Sequence, residues 1–249
     1  MQPEVSIVIP AYNEADRIET TIYRIFNEIK SLEFEVVVSE DGSTDETPLI
    51  LKRLKKRFGD RLVTIHNRRR LGKGGGFLRG VEHSQGRYVI LLDADYPTDA
   101  DTIIKIVKYL RMGYDLVIGS RAHELSILDP PPPPLRKAIG RIFNLIVRIL
   151  FRIRIRDTQC GVKGFRKEVF SIIGPIQFLS FIFDVEIIVK AQIHGLRIKE
   201  IPIYWSGKTG SKVRVLRDTV TMLGGLINLW IRLPRYRKIS REGMKHSGE

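Results

Sequence analysis

Apolar positions along the chain follow two alternating patterns. Short runs rich in β-branched residues, Val5 to Ile9, Phe34 to Ser39, Leu62 to His66, Tyr88 to Leu92, Leu116 to Ile118 and Ile198 to Ile203, are separated by stretches of helical period. Between the first two runs, Ile18, Ile22, Ile25, Phe26 and Ile29 recur at helical spacing; after the fourth, Ile103, Ile104, Ile106, Val107 and Leu110 do so. Runs that are apolar on both faces, alternating with amphipathic helices, predict an α/β fold: a mostly parallel, Rossmann-like central sheet flanked by helices. In such sheets ligands gather beyond the carboxyl ends of the strands, so the polar residues just after each run are the ones to read for chemistry.

The middle of the chain changes character. Five consecutive prolines, 130–134, exclude helix and central strand and predict a stiff polyproline loop. Behind them, over 136–152, Ile139, Ile142, Phe143, Ile146, Val147, Leu150 and Phe151 mark one apolar helix face, among Arg136, Lys137, Arg141, Arg148 and Arg152. Such a basic amphipathic helix either packs on its own domain or lies in a membrane interface. Met222 to Ile231 is again almost continuously apolar and is followed by Arg232, Arg235, Arg237, Lys238 and Arg241. This segment is too short to span a bilayer and suited to lie beneath anionic head groups.

Charge sharpens that reading. The 249 residues carry 42 Lys and Arg against 28 Asp and Glu, a net charge of +14, which calls for an anionic partner: nucleic acid, phospholipid or a phosphorylated substrate. The single cysteine, Cys160, forbids an intramolecular disulfide and excludes thiolate metal clusters, as expected of a reducing compartment. No basic-then-apolar leader precedes Val5, so export is not expected. The five histidines stand at no metal-ligand spacing.

For so basic a chain, the strand ends are acidic: Asn13-Glu14, Glu40-Asp41 and Asp93-Ala94-Asp95. Asp45 and Asp99 are explained as helix caps, but three acidic strand ends in a row point to a shared site. Two carboxylates after a buried strand suit a hard divalent cation, Mg²⁺ or Mn²⁺, which also bridges phosphates. Asp41 offers acceptor oxygens to a base or ribose. Gly72-Lys73-Gly74-Gly75-Gly76 lacks the Gly-Lys-Ser/Thr ending of a Walker A loop; it reads either as a surface loop or as a backbone that approaches a nucleotide and aims Lys73 at its phosphates.

Together the segments Pro10-Ala11-Tyr12-Asn13-Glu14, Glu40 to Asp45, Gly72-Lys73-Gly74, Asp93-Ala94-Asp95, Gly119-Ser120-Arg121 and Asp157-Thr158-Gln159-Cys160-Gly161 resemble, in order, the inverting family 2 glycosyltransferases. Within that family the likeness is to polyprenyl-phosphate hexose synthases. Asp157 to Lys163, Phe183-Asp184-Val185-Glu186, Ile201 to Trp205 and Gly210-Ser211-Lys212-Val213 look more like dolichyl-phosphate β-glucosyltransferases than mannose synthases. The resemblance, from about Val5 to Arg235, implies a GT-A catalytic domain over 1–210 and an amphipathic membrane-interface segment with a basic tail over 211–249.

It also implies roles. Pro10, Ala11, Tyr12, Glu14 and Asp41 would surround the donor nucleoside with Lys73 and Ala94, while Asp93 and Asp95 would meet ribose, diphosphate and metal. Arg121 and Lys212, with Ser211, match positions that hold donor or acceptor phosphates. Asp157 is expected to contact sugar hydroxyls or an arginine, and Asp184 to orient. Mannose synthases commonly carry a glutamine two residues beyond this acidic triplet, where this chain has Pro97. The expected reaction moves a hexose, from UDP-glucose in preference to GDP-mannose, onto polyprenyl (dolichyl) phosphate, at an anionic membrane on its cytosolic face, with the protein peripheral. A nucleic-acid partner is not expected, because it would leave the acidic strand ends and the apolar C-terminal segment without a role.

Overall fold

The computed structural model describes residues 2–180, 182–206 and 221–234. All six expected strands are present: β1 (Val5–Ala11), β2 (Phe34–Glu40), β3 (Leu62–His66), β4 (Tyr88–Leu92), β5 (Leu116–Ser120) and, late in the chain, β8 (Ile198–Pro202). Three more come from segments without a strand-like run: β6 (Ile127–Leu128), β7 (Val162–Arg166) and β9 (Tyr204–Trp205). The helices are α1 (Ile18–Glu28), α2 (Thr47–Phe58), α3 (Gly72–His83), α4 (Ala100–Arg111), α5 (Pro134–Phe151), α6 (Val169–Ile173) and α7 (Phe183–Ile193). Residues 221–234 are also helical and are called α8.

The main sheet has the order β3-β2-β1-β4-β7-β5-β8, while β6 and β9 form a separate ribbon. Every pairing in the main sheet is parallel except those of β7, which runs antiparallel between β4 and β5. Alternate strand residues feed two cores. Val5, Ile7, Ile9, Val36, Val38, Ile90 and Leu92 face α1, α2 and α4; Val8, Val37, Val89 and Leu91 face α3, α5, α7 and α8. Helices on both faces explain why the central strands are buried throughout.

Strand order reverses between β1 and β4, and a crevice opens where two neighbouring strands send their connections to opposite sides. The ends of β1, β2, β4 and β5 therefore present Pro10 to Glu14, Asp41, Asp93 to Asp95, and Arg121 on one rim. Antiparallel β7 starts where β4 ends, Val162 pairing with Leu92, which brings the Asp157 to Gly161 segment to that rim.

The loop expected at Gly72 to Gly76 is the opening of α3, with Gly74, Gly75 and Gly76 buried. A Cβ at Gly74 would lie 2.7 Å from the Phe183 side chain and 3.0 Å from the Leu179 carbonyl oxygen. These glycines serve close packing, and Leu179 O accepts the Gly74 N–H at 2.9 Å. The proline run departs from the expected loop at its end: Pro133 is extended (φ −49°, ψ 139°), but Pro134 is the first residue of α5, where a missing N–H costs no intrahelical bond. Asp99 caps α4 through Thr102 N, and Asp45 accepts from Thr47 N at the start of α2.

Candidate active site

The rim is organised around the turn that follows β4. Asp93 lies so close to Gly161 that a Cβ there would sit 1.8 Å from Asp93 Oδ2, so a larger residue would displace that carboxylate. Lys73, on the first turn of α3, reaches across to Asp93 Oδ1 at 2.7 Å. Burial alone would lower the Lys73 ammonium, but the carboxylates of Asp93, Asp184 and Asp95 outweigh it and hold the group above the ordinary lysine range. Asp95 is the opposite case. Burial first, then the neighbouring Asp93 charge, hold its carboxyl above the usual range against Arg17 and Lys73. Its Oδ1 is buried and has no hydrogen-bond partner among the described residues.

A buried carboxylate oxygen without a partner is costly unless a ligand satisfies it. Beside Asp93 and under Lys73, it fits a hard divalent cation shared with a diphosphate. Among the described residues no cluster of three or more His, Cys, Asp or Glu forms a metal site, so Asp95 and Asp93 would supply the protein's share of ligands and phosphate and water the rest.

The other predicted residues already have partners. Both Asp41 oxygens accept backbone N–H groups, from Leu71 at 2.6 Å and Gly72 at 2.9 Å, so Asp41 latches the entry to α3 to the end of β2. Tyr12 lies under the Arg70 guanidinium, 3.8 Å from its ring centroid, and Glu14 pairs with Arg17 at 2.8 Å. Pro10 backs the α3 opening, 3.3 Å from where a Gly76 Cβ would be. Ala11 ends β1 and its carbonyl accepts Asp41 N, while Ala94 is buried between the two acidic residues. Arg121 is held by Asp157 in a bidentate pair, Nε to Oδ2 at 2.7 Å and Nη2 to Oδ1 at 2.9 Å, with its guanidinium 5.0 Å from the Trp205 ring. Burial works to raise the Asp157 carboxyl, yet the Arg121 charge and hydrogen bonds overcome it and leave the group below the usual range. Asp184 is buried against Lys163, 2.7 Å away, and burial keeps it above the usual range despite that cation. Cys160 is buried in the same loop and its thiol is pushed up to about 12, which removes thiolate chemistry. Ser211 and Lys212 lie outside the described residues.

Several contributors were not predicted. Lys163 neutralises Asp184 and donates to Cys160 O at 2.5 Å; its place inside the Asp157 to Lys163 motif was the available signal. Glu200 accepts the N–H groups of Arg156 and Asp157, both at 2.9 Å, and orients the Asp157 loop. Glu186 accepts from Gln177 N and Phe178 N and pairs with Lys190 at 2.9 Å, fixing the segment that carries Leu179 to the mouth of α3.

A sheet of order 3-2-1-4-7-5-8 with one antiparallel strand and an acidic turn at the reversal point is the architecture of GT-A glycosyltransferases. A solved structure of glucosyl-3-phosphoglycerate synthase from Mycobacterium tuberculosis, in complex with Mn²⁺ and UDP-glucose, has the same fold: TM-score 0.68 at 18% identity, over 91% of this chain and 79% of that one. The model of glycosyl transferase family 2 matches residues 6–174, and the chain belongs to that family. Glycosyltransferase AglD of Haloferax volcanii is 36% identical over 244 residues, 96% of this chain but 39% of the relative, so the chain spans well under half of that protein. The dolichyl-phosphate beta-glucosyltransferase of Saccharomyces cerevisiae is 33% identical over 90% of this chain and 73% of its own length.

Proposed function

We propose that this protein transfers a hexose, glucose from UDP-glucose, to the phosphate of a polyprenol (dolichol) at an anionic membrane surface, acting as a peripheral protein on the cytosolic face. The observation that carries the reading is the buried, unpartnered Asp95 oxygen beside the Asp93–Lys73 pair at the strand-reversal crevice. The relatives named as dolichyl-phosphate beta-glucosyltransferases supply the sugar and the acceptor class, and Pro97 sets the chain apart from the mannose synthase pattern.

The acceptor phosphate oxygen attacks the anomeric carbon from the face opposite the leaving group. The new C–O bond forms as the bond to the UDP oxygen breaks, and UDP departs with the electron pair. A phosphate monoester has its second pKa near 6 and is mostly dianionic at neutral pH, so no general base is required. A bound Mg²⁺ or Mn²⁺ would neutralise charge on the departing diphosphate. Pro10, Ala11, Tyr12, Glu14 and Asp41 line the nucleoside side, and Lys73 adds fixed positive charge beside the diphosphate. Arg121 keeps donors beyond those used by Asp157 and, with Ser211 and Lys212, meets phosphate. Asp157 orients Arg121, and Asp184 holds Lys163 in the wall behind the site.

The membrane part of the reading rests on surface chemistry. α5 buries Phe143, Val147 and Phe151 but exposes Leu135, Ile142, Leu145 and Ile149 amid arginines; α8 exposes Ile227, Trp230 and Ile231. A cavity of about 310 Å³ lined by Ile149, Leu150, Arg152, Trp230 and Leu233 joins the two helices. No helix among the described residues is long and apolar enough to cross a membrane. Each arginine near an anionic leaflet contributes about 1 kcal/mol of attraction.

The test is transfer of radiolabelled sugar from UDP-glucose and, in parallel, GDP-mannose into organic-extractable polyprenyl phosphate with Mg²⁺ or Mn²⁺. Product from UDP-glucose is expected, with Asp95→Asn losing about 10²–10³-fold. Product from GDP-mannose alone would move the donor assignment, and no lipid product with either would overturn the acceptor.

A further inference from the structure

Helix α1 follows the Pro10 to Glu14 segment directly and packs beneath the acidic turn. Thr21, buried in its second turn, does not return its hydroxyl to its own helix, the common habit of a mid-helix threonine. It donates instead to Ala94 O at 2.7 Å, across 73 residues of sequence. One turn on, Arg24 Nη1 approaches Tyr96 O at 3.4 Å, and its guanidinium stacks 4.4 Å from the Tyr96 ring centroid. The two carbonyls gripped this way flank Asp95 on either side.

The grip has something to resist. Tyr96 adopts φ +44°, a left-handed conformation that non-glycine residues hold only when their surroundings impose it. Its N–H closes the turn onto Asp93 O at 3.0 Å, and its ring is fully buried. A buried hydroxyl on one carbonyl and a stacked guanidinium on the other are the constraints that hold a strained turn in one geometry. Between them sits the Asp95 oxygen that no described residue satisfies.

We propose that Thr21, assisted by Arg24, is a positioning residue for the Asp93 to Asp95 turn, fixing the Asp95 carboxylate in the orientation that receives a divalent cation with a nucleoside diphosphate. This rests on the donor-site reading above. Groups that orient metal ligands without touching the metal characteristically cost 10- to 100-fold in metal affinity when removed; Thr21 acts through the Ala94 peptide.

The experiment titrates Mn²⁺ into the full chain with saturating UDP, reading free Mn²⁺ by electron paramagnetic resonance, and separately measures UDP affinity in chelator. Thr21→Val, which keeps shape and loses the hydroxyl, is expected to weaken Mn²⁺ binding about tenfold while leaving metal-free UDP affinity unchanged. Thr21→Ser, which restores the donor, should return to within about threefold of wild type, and Arg24→Met should give an intermediate loss. Wild-type affinity in Thr21→Val, or equal losses in the Val and Ser variants, would overturn the proposal. So would a loss of metal-free UDP affinity matching the Mn²⁺ loss, which marks general damage. Failure of the wild type itself to bind Mn²⁺ with UDP would remove the donor-site reading and this inference with it, an outcome distinct from the others.

Discussion

The acidic turn after β4 and the band of carboxylates around β7 and α7 use the same side-chain chemistry in opposite ways. In the band each buried carboxylate has its own cation or donor: Asp157 with Arg121, Asp184 with Lys163, Glu186 with Lys190. In the turn, Asp93 shares Lys73, and Asp95 keeps a buried oxygen that no described residue satisfies. Charges matched internally stiffen the walls of a crevice, whereas a charge left unmatched there is available to a ligand.

The comparison breaks first at Lys163. Lys163→Met strands Asp184 in the core and should cost about 3–5 kcal/mol of stability; the double variant with Asp184→Leu should recover most of it in urea unfolding. A small effect of the single change would mean the pair is not buried as described.

A smaller effect belongs to Asp157. Its folded pKa is depressed by Arg121, so the stability it contributes is complete above the unfolded value of about 3.9 and is lost as pH falls through the lower folded value. The stability gap between wild type and Asp157→Asn should therefore hold steady above about pH 5 and close on acidification. A gap that persists at strongly acid pH would contradict the pairing.

The smallest effect on stability is expected at Asp95. Because the turn holds a raised, partly unsatisfied carboxylate, Asp95→Asn should leave the melting temperature unchanged or slightly higher even as transfer fails. A marked loss of stability would place Asp95 in the matched band instead.

Much of this was legible in one dimension. Six strands, the helices α1, α4 and α5 and the acidic strand ends follow from period, β-branching and turn chemistry, all local properties; α2 and α7 were not read from it. Strand β7 was not legible, because Val162-Lys163-Gly164-Phe165-Arg166 carries a lysine that becomes acceptable in the core only when Asp184, distant in sequence, meets it. The glycines of α3 read as a loop because glycine is a poor helix former; their reason is the Leu179 carbonyl and Phe183 ring pressed against them. The sequence alone determined which acidic residues end the strands and so where the candidate site lies. Tertiary structure alone decided which of them are neutralised and which is left for a ligand, since burial and ion pairing depend on partners that chain order does not bring together.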